Sequence, residues 1–315
     1  MKAILLQEAG GVERLQLANI PQPVIKENEV LIKTKAVSIN PVDVKARANH
    51  KTLDWLFGAQ RPVILGWDVS GEVVATGTGS TKLKKGDAVF GMINFPGSGN
   101  GYAEYVAAPE DQLALKPANS SYEVAAATTL AALTAWQALV TGNPVGEGDK
   151  VLIHAGAGGV GHFAVQIAKL LGAYVIATSS AKNRDFILSL GADAHIDYTT
   201  DRFEEVRTDI DFVLDTIGGD VLLRSVTATR PGGKIITLPT SDFSAAAKEA
   251  AAEKGIDLKQ IMVHSNGQDM QSIATLLEQE KLKAQVAAVY PMDELAKAHL
   301  EVETGRTVGK VVVKW

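Results

Sequence analysis

The stretch Lys150-Val151-Leu152-Ile153-His154-Ala155-Gly156-Ala157-Gly158-Gly159-Val160-Gly161 decides how this chain is read. It contains Gly-x-Gly-x-x-Gly at Gly156, Gly158 and Gly161, with Gly159 and Val160 inside the turn. Apolar Val151 to Ile153 lead in. The amphipathic run Phe163–Leu171 leads out and stops at Gly172. Strand, tight turn and helix in that order form the setting in which this fingerprint binds a dinucleotide. Gly156 allows the turn, Gly158 lets a pyrophosphate approach the backbone, and Gly161 lets helix pack on strand. The amides and positive end of the new helix would hold the phosphates. Roughly 150 residues precede the motif, room for a whole second domain.

Downstream, apolar β-rich runs alternate with helical ones. Strands are expected at Val151–His154, Tyr174–Thr178, Ala194–Ile196, Phe212–Asp215, Lys234–Leu238 and Leu258–Val263. Helices fit between them, one ending at Gly191 and an Ala-rich one at Gly255. This is the pattern of an α/β doubly wound parallel sheet. Upstream the chain is β-rich, with strands expected at Val30–Val37, Asp68–Val74, Ala88–Phe90 and Tyr102–Val106, parted by Gly-rich turns. The texture changes near residue 120, where Ser120-x-x-Glu123 reads as a capping box opening an Ala-rich helix. At the other end Met292–Glu303 reads as helix and Gly309–Lys314 as a short strand returning to the first domain.

Hydrophobic residues make up 46% and charged residues 21%, the balance of a globular chain with a buried core. The apolar start, Met1–Glu8, is too short for a signal peptide. The uncharged stretch Val124–Gly146, rich in Ala and Thr, reads as buried helix plus loop and not as a membrane span. There are no cysteines, which excludes disulfides and thiolate metal sites. The expected compartment is the cytoplasm. A net charge of −5 gives no reason to expect nucleic acid.

Several blocks, each weak alone, together resemble the medium-chain dehydrogenase/reductases, and within them the zinc-independent quinone oxidoreductase and enone (2-alkenal) reductase branch. They are Ser38-Ile39-Asn40-Pro41-Val42-Asp43, Gly66-Trp67-Asp68-Val69-Ser70-Gly71, Gly86-Asp87-Ala88-Val89-Phe90-Gly91, Gly101-Tyr102-Ala103-Glu104-Tyr105, Thr134-Ala135-Trp136, the glycine turn, and Gly309-Lys310-Val311-Val312. The resemblance covers essentially the whole chain. It implies a GroES-like β-barrel catalytic domain over 1–122, completed by 290–315, a Rossmann domain over 123–289, and a cleft for nicotinamide and substrate. Where zinc-dependent relatives carry their metal ligands, this chain has Asn40, then Trp67 and Asp68, and Leu130 near the third position. Asn, Trp and Leu cannot build a tetrahedral N/S site, so no metal is expected.

The second Rossmann strand ends in Ser179-Ser180-Ala181-Lys182-Asn183-Arg184, with no acid before Asp185. An acid there would bond the ribose 2′-hydroxyl of NAD. Hydroxyls and cations suit the extra phosphate of NADP(H), and Tyr198 matches a family tyrosine near it. Asp215 and Gly218 follow the fourth strand, where ligands gather at carboxyl ends. Lys310 is grouped with these cofactor residues. Asn40, placed beside the nicotinamide by the family motif, is the first candidate donor to an acceptor's carbonyl oxygen. Lys45 either bonds a forming enolate or ribose hydroxyl, or is a surface lysine. Thr134 either sits near the nicotinamide or bonds its own helix. Trp67 either walls the pocket or packs the core. Asp43 reads as orienting its loop, and His154 as a packed, hydrogen-bonded histidine. The loops 49–61 and 93–100 carry no decodable motif; Trp55, Leu56 and Phe57 line a pocket or a core.

The expected activity is NADPH-dependent hydride transfer to quinones or α,β-unsaturated carbonyls. The alternative is a non-catalytic NADPH-binding sensor or structural protein of the same fold. The resemblance further implies a homodimer, with the sheet edge around Lys234–Leu238 as its pairing surface.

Overall fold

The computed structural model describes residues 1–142, 144–239 and 243–315. It divides into two compact units, 1–133 with 263–315, and 134–262. The breaks therefore fall later than 122/123 and earlier than 289/290. Two helices account for the difference. Ala126 and Ala127 of the helix Tyr122–Ala127 share a core with Ala36 and Val312 of the barrel strands. The helix Gly267–Glu278 packs on residues 110–115, and Asn119 Nδ2 donates to Glu278 O at 3.1 Å. The apolar faces of both helices belong to the barrel.

In the first unit, the strand Glu29–Ile39 organises a seven-stranded sheet. One edge pairs antiparallel with Asp68–Thr76. The other edge is shared: 29–33 pair with Tyr105–Pro109, and 36–39 pair with Lys310–Lys314. The strand Lys310–Lys314 in turn pairs with Val286–Pro291. Period-two alternation sends Val30, Ile32, Val69, Val73, Val89 and Val106 into one core. Burying each such side chain contributes roughly 1.5–3 kcal/mol. Gly71 has no room for a side chain, because a Cβ there would overlap Lys33 O. Two short helices, Pro41–Ala48 and His50–Phe57, fill what reads in sequence as loop. Their signals were present: Asp43 accepts from the Asn40 N–H at 2.9 Å, and Asn49 Oδ1 accepts from the Thr52 N–H at 3.2 Å. Leu56 and Phe57 are core, whereas Trp55 is exposed.

Two local expectations are corrected. The helix Tyr122–Ala127 is capped by Ser121, whose Oγ accepts from the Val124 N–H at 3.2 Å; Ser120 N–H bonds Pro117 O instead, so no Ser120–Glu123 box forms. Residues 102–104 precede the strand Tyr105–Pro109; Ala103 forms an isolated bridge with Ala3, and Glu104 O accepts from the Thr34 N–H at 2.9 Å. The uncharged stretch becomes the helices Tyr122–Ala127 and Leu130–Trp136 with a wide turn at Gln137–Thr141; Asn143 lies outside the described residues.

The second unit holds six parallel strands in the spatial order Ala194–Asp197, Tyr174–Ser179, Lys150–Ile153, Ile210–Asp215, Thr229–Thr237, Asp257–Gln260. Numbered along the chain this is 3-2-1-4-5-6, the dinucleotide-binding order. The strand around Lys234 is paired on both sides and is not an edge; Asp257–Gln260 is.

Candidate active site

The glycine turn leaves the central strand Lys150–Ile153 at its carboxyl end, where the sheet order reverses. Ala155 takes a left-handed φ of 49° to start it. The Gly156 N–H donates to Thr178 O at 2.9 Å and the Gly158 N–H to Ala155 O at 2.8 Å. A Cβ on Gly156 would lie 2.8 Å from Ala177 Cβ, and one on Gly158 3.1 Å from Ala155 O. A Cβ on Gly161 would overlap Ala155 O, so the helix Gly161–Leu170 can start this close to the strand only from glycine. Val160 is its N-cap and supplies no side-chain bond; the His162 and Phe163 N–H groups close on Gly158 O and Val160 O, so the amides that face an anion are those of Gly159, Val160 and Gly161. This close-packed turn fits a dinucleotide pyrophosphate.

The neighbouring strand ends sort the remaining cofactor candidates. Ser179 is buried, its Oγ donating to Ser180 O at 3.0 Å and bonded to His195 Nε2 at 2.8 Å. Lys182 and Arg184 are exposed on the turn that follows, and Tyr198 is 61% exposed. Ser179, Ser180, Lys182, Arg184 and Tyr198 thus lie at the ends of two adjacent strands, a cationic and hydroxylic rim that also carries Asp197, paired in register with Ser179. Asp215 is fully buried. Its carboxylate accepts from the Ile217 and Gly218 N–H groups, both at 2.9 Å, and from Thr237 Oγ1 at 2.8 Å. It shapes the turn at Gly218, whose φ is 78°. His154 is packed. Ser225 Oγ donates to Val221 O at 2.7 Å, so His154 Nε2–H must donate to Ser225 Oγ at 2.9 Å, and Nδ1 accepts from Thr178 Oγ1 at 3.2 Å. Burial lowers its pKa to about 4 and keeps it neutral.

In the first unit a buried polar cluster surrounds Asn40, which is 1% exposed. Asn40 Nδ2 donates to Asp68 Oδ2 at 2.7 Å, and Asn40 Oδ1 accepts from Lys310 Nζ. Lys310 Nζ also donates to Ile39 O at 3.1 Å and lies 3.7 Å from Asp68 Oδ2. Asp68 further accepts from Ser38 Oγ and, at 2.9 Å, from the Leu130 N–H. Lys310, grouped with the cofactor residues in sequence, is 3% exposed and bonded to the candidate donor instead. Burial lowers its pKa against the raising effect of Asp68 and Asp43.

A second buried chain begins at Asp43. Its Oδ1 accepts from Tyr102 Oη at 2.9 Å, and that hydroxyl is 3.1 Å from His299 Nε2. Burial first, and then the Asp68 charge, raise the Asp43 pKa to about 7. Burial, with Arg47 nearby, lowers that of His299 to about 3. Ser38, Asp68, Tyr102 and His299 were not singled out by sequence as members of a site. The signal available was a carboxylate set between Trp67 and Val69 in a strand buried on both sides, which requires partners.

Lys45 is exposed on the helix Pro41–Ala48, and Thr134 is buried in the helix Leu130–Trp136. Trp67 is fully buried, its indole N–H donating to Gly97 O at 2.7 Å, with Phe57 and Phe95 packed at 6.0 and 5.4 Å between ring centroids.

Comparison with known proteins gives the family. Residues 26–118 match the alcohol dehydrogenase GroES-like domain, and residues 190–313 the zinc-binding dehydrogenase domain. The chain is 36% identical to the 2-methylene-furan-3-one reductase of Solanum lycopersicum, across 99% of this chain and 79% of that protein. It is equally similar, with the same coverage, to the chloroplastic NADPH-dependent alkenal/one oxidoreductase of Arabidopsis thaliana. The solved quinone oxidoreductase of Coxiella burnetii superposes with a TM-score of 0.92 at 36% identity, over 100% of this chain and 99% of that one. Zinc itself does not fit the residues present. Trp67 has only a donor, already spent on Gly97, Leu130 has no ligating atom, and Asn40 and Asp68 are bonded to each other. Among the described residues no group of three His, Cys, Asp or Glu could hold a metal. With a GroES-like barrel, a 3-2-1-4-5-6 parallel sheet and relatives this similar along its length, the chain belongs to the medium-chain dehydrogenase/reductase family, in the zinc-independent branch of quinone oxidoreductases and enone reductases.

Proposed function

We propose that this protein is an NADPH-dependent reductase that delivers hydride to α,β-unsaturated carbonyls or quinones. The observation that carries the reading is the glycine turn, where a side chain at Gly161 would overlap Ala155 O and the following helix has no side-chain cap. Bound NADPH supplies the hydride; the protein supplies position and polarisation. Gly159, Val160 and Gly161 hold the pyrophosphate through backbone amides, and Gly156 and Gly158, whose own amides close the turn, let it approach. Ser180, Lys182, Arg184 and Tyr198 take the 2′-phosphate, supported by Ser179. Asp215 and Gly218 shape the wall beside the cofactor. Asn40 donates to the acceptor's carbonyl oxygen as negative charge develops there. Lys45 stabilises the enolate oxygen or a ribose hydroxyl, and Thr134 meets the nicotinamide. The asparagine, lysine and threonine would supply polarity without a metal. No helix among the described residues is long and apolar enough to cross a membrane. The resemblance supports a homodimer, and the lack of cysteine supports a cytoplasmic setting.

The test is the loss of reduced-nicotinamide absorbance against 2-alkenals, enones, quinones and simple alcohols, with NADPH and NADH in parallel. Turnover with NADPH on enones or quinones, unchanged by a chelator, is the expected result. NADPH binding without turnover on any acceptor would favour a sensor or structural role, and no binding of either nucleotide would end the reading.

A further inference from the structure

We propose that Lys310 and Asp68 are positioning residues that lock the Asn40 carboxamide in one orientation, with its nitrogen as the donor to the substrate's carbonyl oxygen. This rests on the reductase reading above.

The orientation follows from chemistry rather than from atom labels. An ammonium can only donate, so the Asn40 atom facing Lys310 Nζ must be oxygen. A carboxylate that accepts from Ser38 Oγ and the Leu130 N–H presents lone pairs, so the Asn40 atom 2.7 Å from Asp68 Oδ2 must be nitrogen. Turning the amide by half a rotation would set N–H against ammonium and C=O against carboxylate, making both contacts repulsive. The backbone of Asn40 is held as well. Its N–H donates to Asp43 Oδ2 at 2.9 Å, and its C=O accepts from the Asp43 N–H at 3.0 Å.

One proton of the Asn40 amide nitrogen has no partner among the described residues. The Lys310 charge on the oxygen side draws electron density through the amide and strengthens that remaining N–H as a donor. The donor is thereby preorganised, which is how fixed dipoles lower a transition state in which oxygen becomes negative. All three residues are at most 3% exposed, so solvent does not compete for these bonds.

The experiment is a double-mutant cycle on the purified, NADPH-loaded enzyme with a 2-alkenal as acceptor. Asn40→Ala is expected to lower kcat/KM about a hundredfold, as for other single donors to a developing oxyanion. Lys310→Met is expected to lower it at least about tenfold, with NADPH affinity by fluorescence held within about twofold. The double variant should lose no more than Asn40→Ala alone, because the lysine acts through the asparagine. Lys310→Arg, which keeps a buried cation, should recover most of the loss. Asp68→Asn, of equal size, runs the same cycle if Lys310→Met does not fold. Additive losses, or full kcat/KM in Lys310→Met while Asn40→Ala is impaired, would overturn the positioning role and leave the reductase standing. Full activity in Asn40→Ala would overturn the role by removing its object. A wild-type enzyme that binds NADPH and reduces nothing would overturn the reductase reading itself.

Discussion

The glycine turn is one unbroken run, 155–161, built of backbone, whereas the Asp68 cluster draws side chains from residues 38, 40, 68 and 310 together with the Leu130 amide. In the turn, what matters is the absence of atoms: a Cβ on Gly156 would crowd Ala177 Cβ, and one on Gly158 or Gly161 would meet Ala155 O. In the cluster every polar atom must be present, because each is the partner of another buried one. The first kind of site fails when something is added, the second when something is removed.

The largest effect is expected from removal. Asp68→Ala leaves the Lys310 ammonium, the Asn40 amide and the Leu130 N–H buried without their acceptor. A cost of about 3–5 kcal/mol in urea denaturation is expected. A loss below about 1 kcal/mol would mean that the cluster relaxes or admits water.

The buried titratable groups predict a pH signature. The Asp43 carboxyl titrates at about 7 in the folded chain against 3.8 when unfolded, so folding takes up a proton between these values. Its contribution is full below pH 4 and is lost as pH rises towards 7, by up to about 4 kcal/mol. His154 and His299, lowered from 6.5 to about 4 and about 3, work oppositely: their contributions are full above 6.5 and lost as pH falls. The terms oppose one another in the wild type. The quantity to measure is therefore the stability difference between wild type and Asp43→Asn, expected to shift against the wild type from pH 4 to 7. A flat difference would show that the carboxyl keeps an ordinary pKa.

Addition should break the turn. Gly161→Val forces its side chain into Ala155 O, at a cost of about 1–3 kcal/mol, and NADPH binding should fall below detection by fluorescence while far-ultraviolet circular dichroism is kept. On the rim, Arg184→Ala removes an exposed cation; NADPH affinity should fall about tenfold and NADH affinity should not change. The smallest effect sharpens the contrast: Val160→Ala keeps the backbone and should move NADPH affinity by no more than about twofold.

The contrast also explains what could be read in advance. A backbone site is written in consecutive residues, so Gly156, Gly158 and Gly161 and the strand and helix around them were legible. So was the missing acid after Ser179. The cluster was legible one residue at a time. Asn40 and Lys310 each stand in a recognisable block, but nothing in a linear string states that a strand at 310–314 lies against one at 36–39 and sets the two side chains in contact. In sequence Asp68 reads only as a replaced metal ligand, because the pattern that makes it a hub is spread over the Ser38 hydroxyl, the Asn40 amide, the Leu130 N–H and Lys310. The helix Gly267–Glu278 falls inside the range expected for the Rossmann domain and packs on 110–115; helical period says which face is apolar and not which core receives it.

The divided edge of the strand Glu29–Ile39 bears on the order of events during synthesis. Lys310 follows its partner carbonyl at Ile39 by 271 residues. At 5–20 residues per second the ribosome needs on the order of tens of seconds to bring the second strand out after the first. Residues 134–262 form a contiguous unit and can close within that interval. The barrel sheet cannot, and through the same interval the main-chain groups of 36–39 wait for the strand that carries the buried cation.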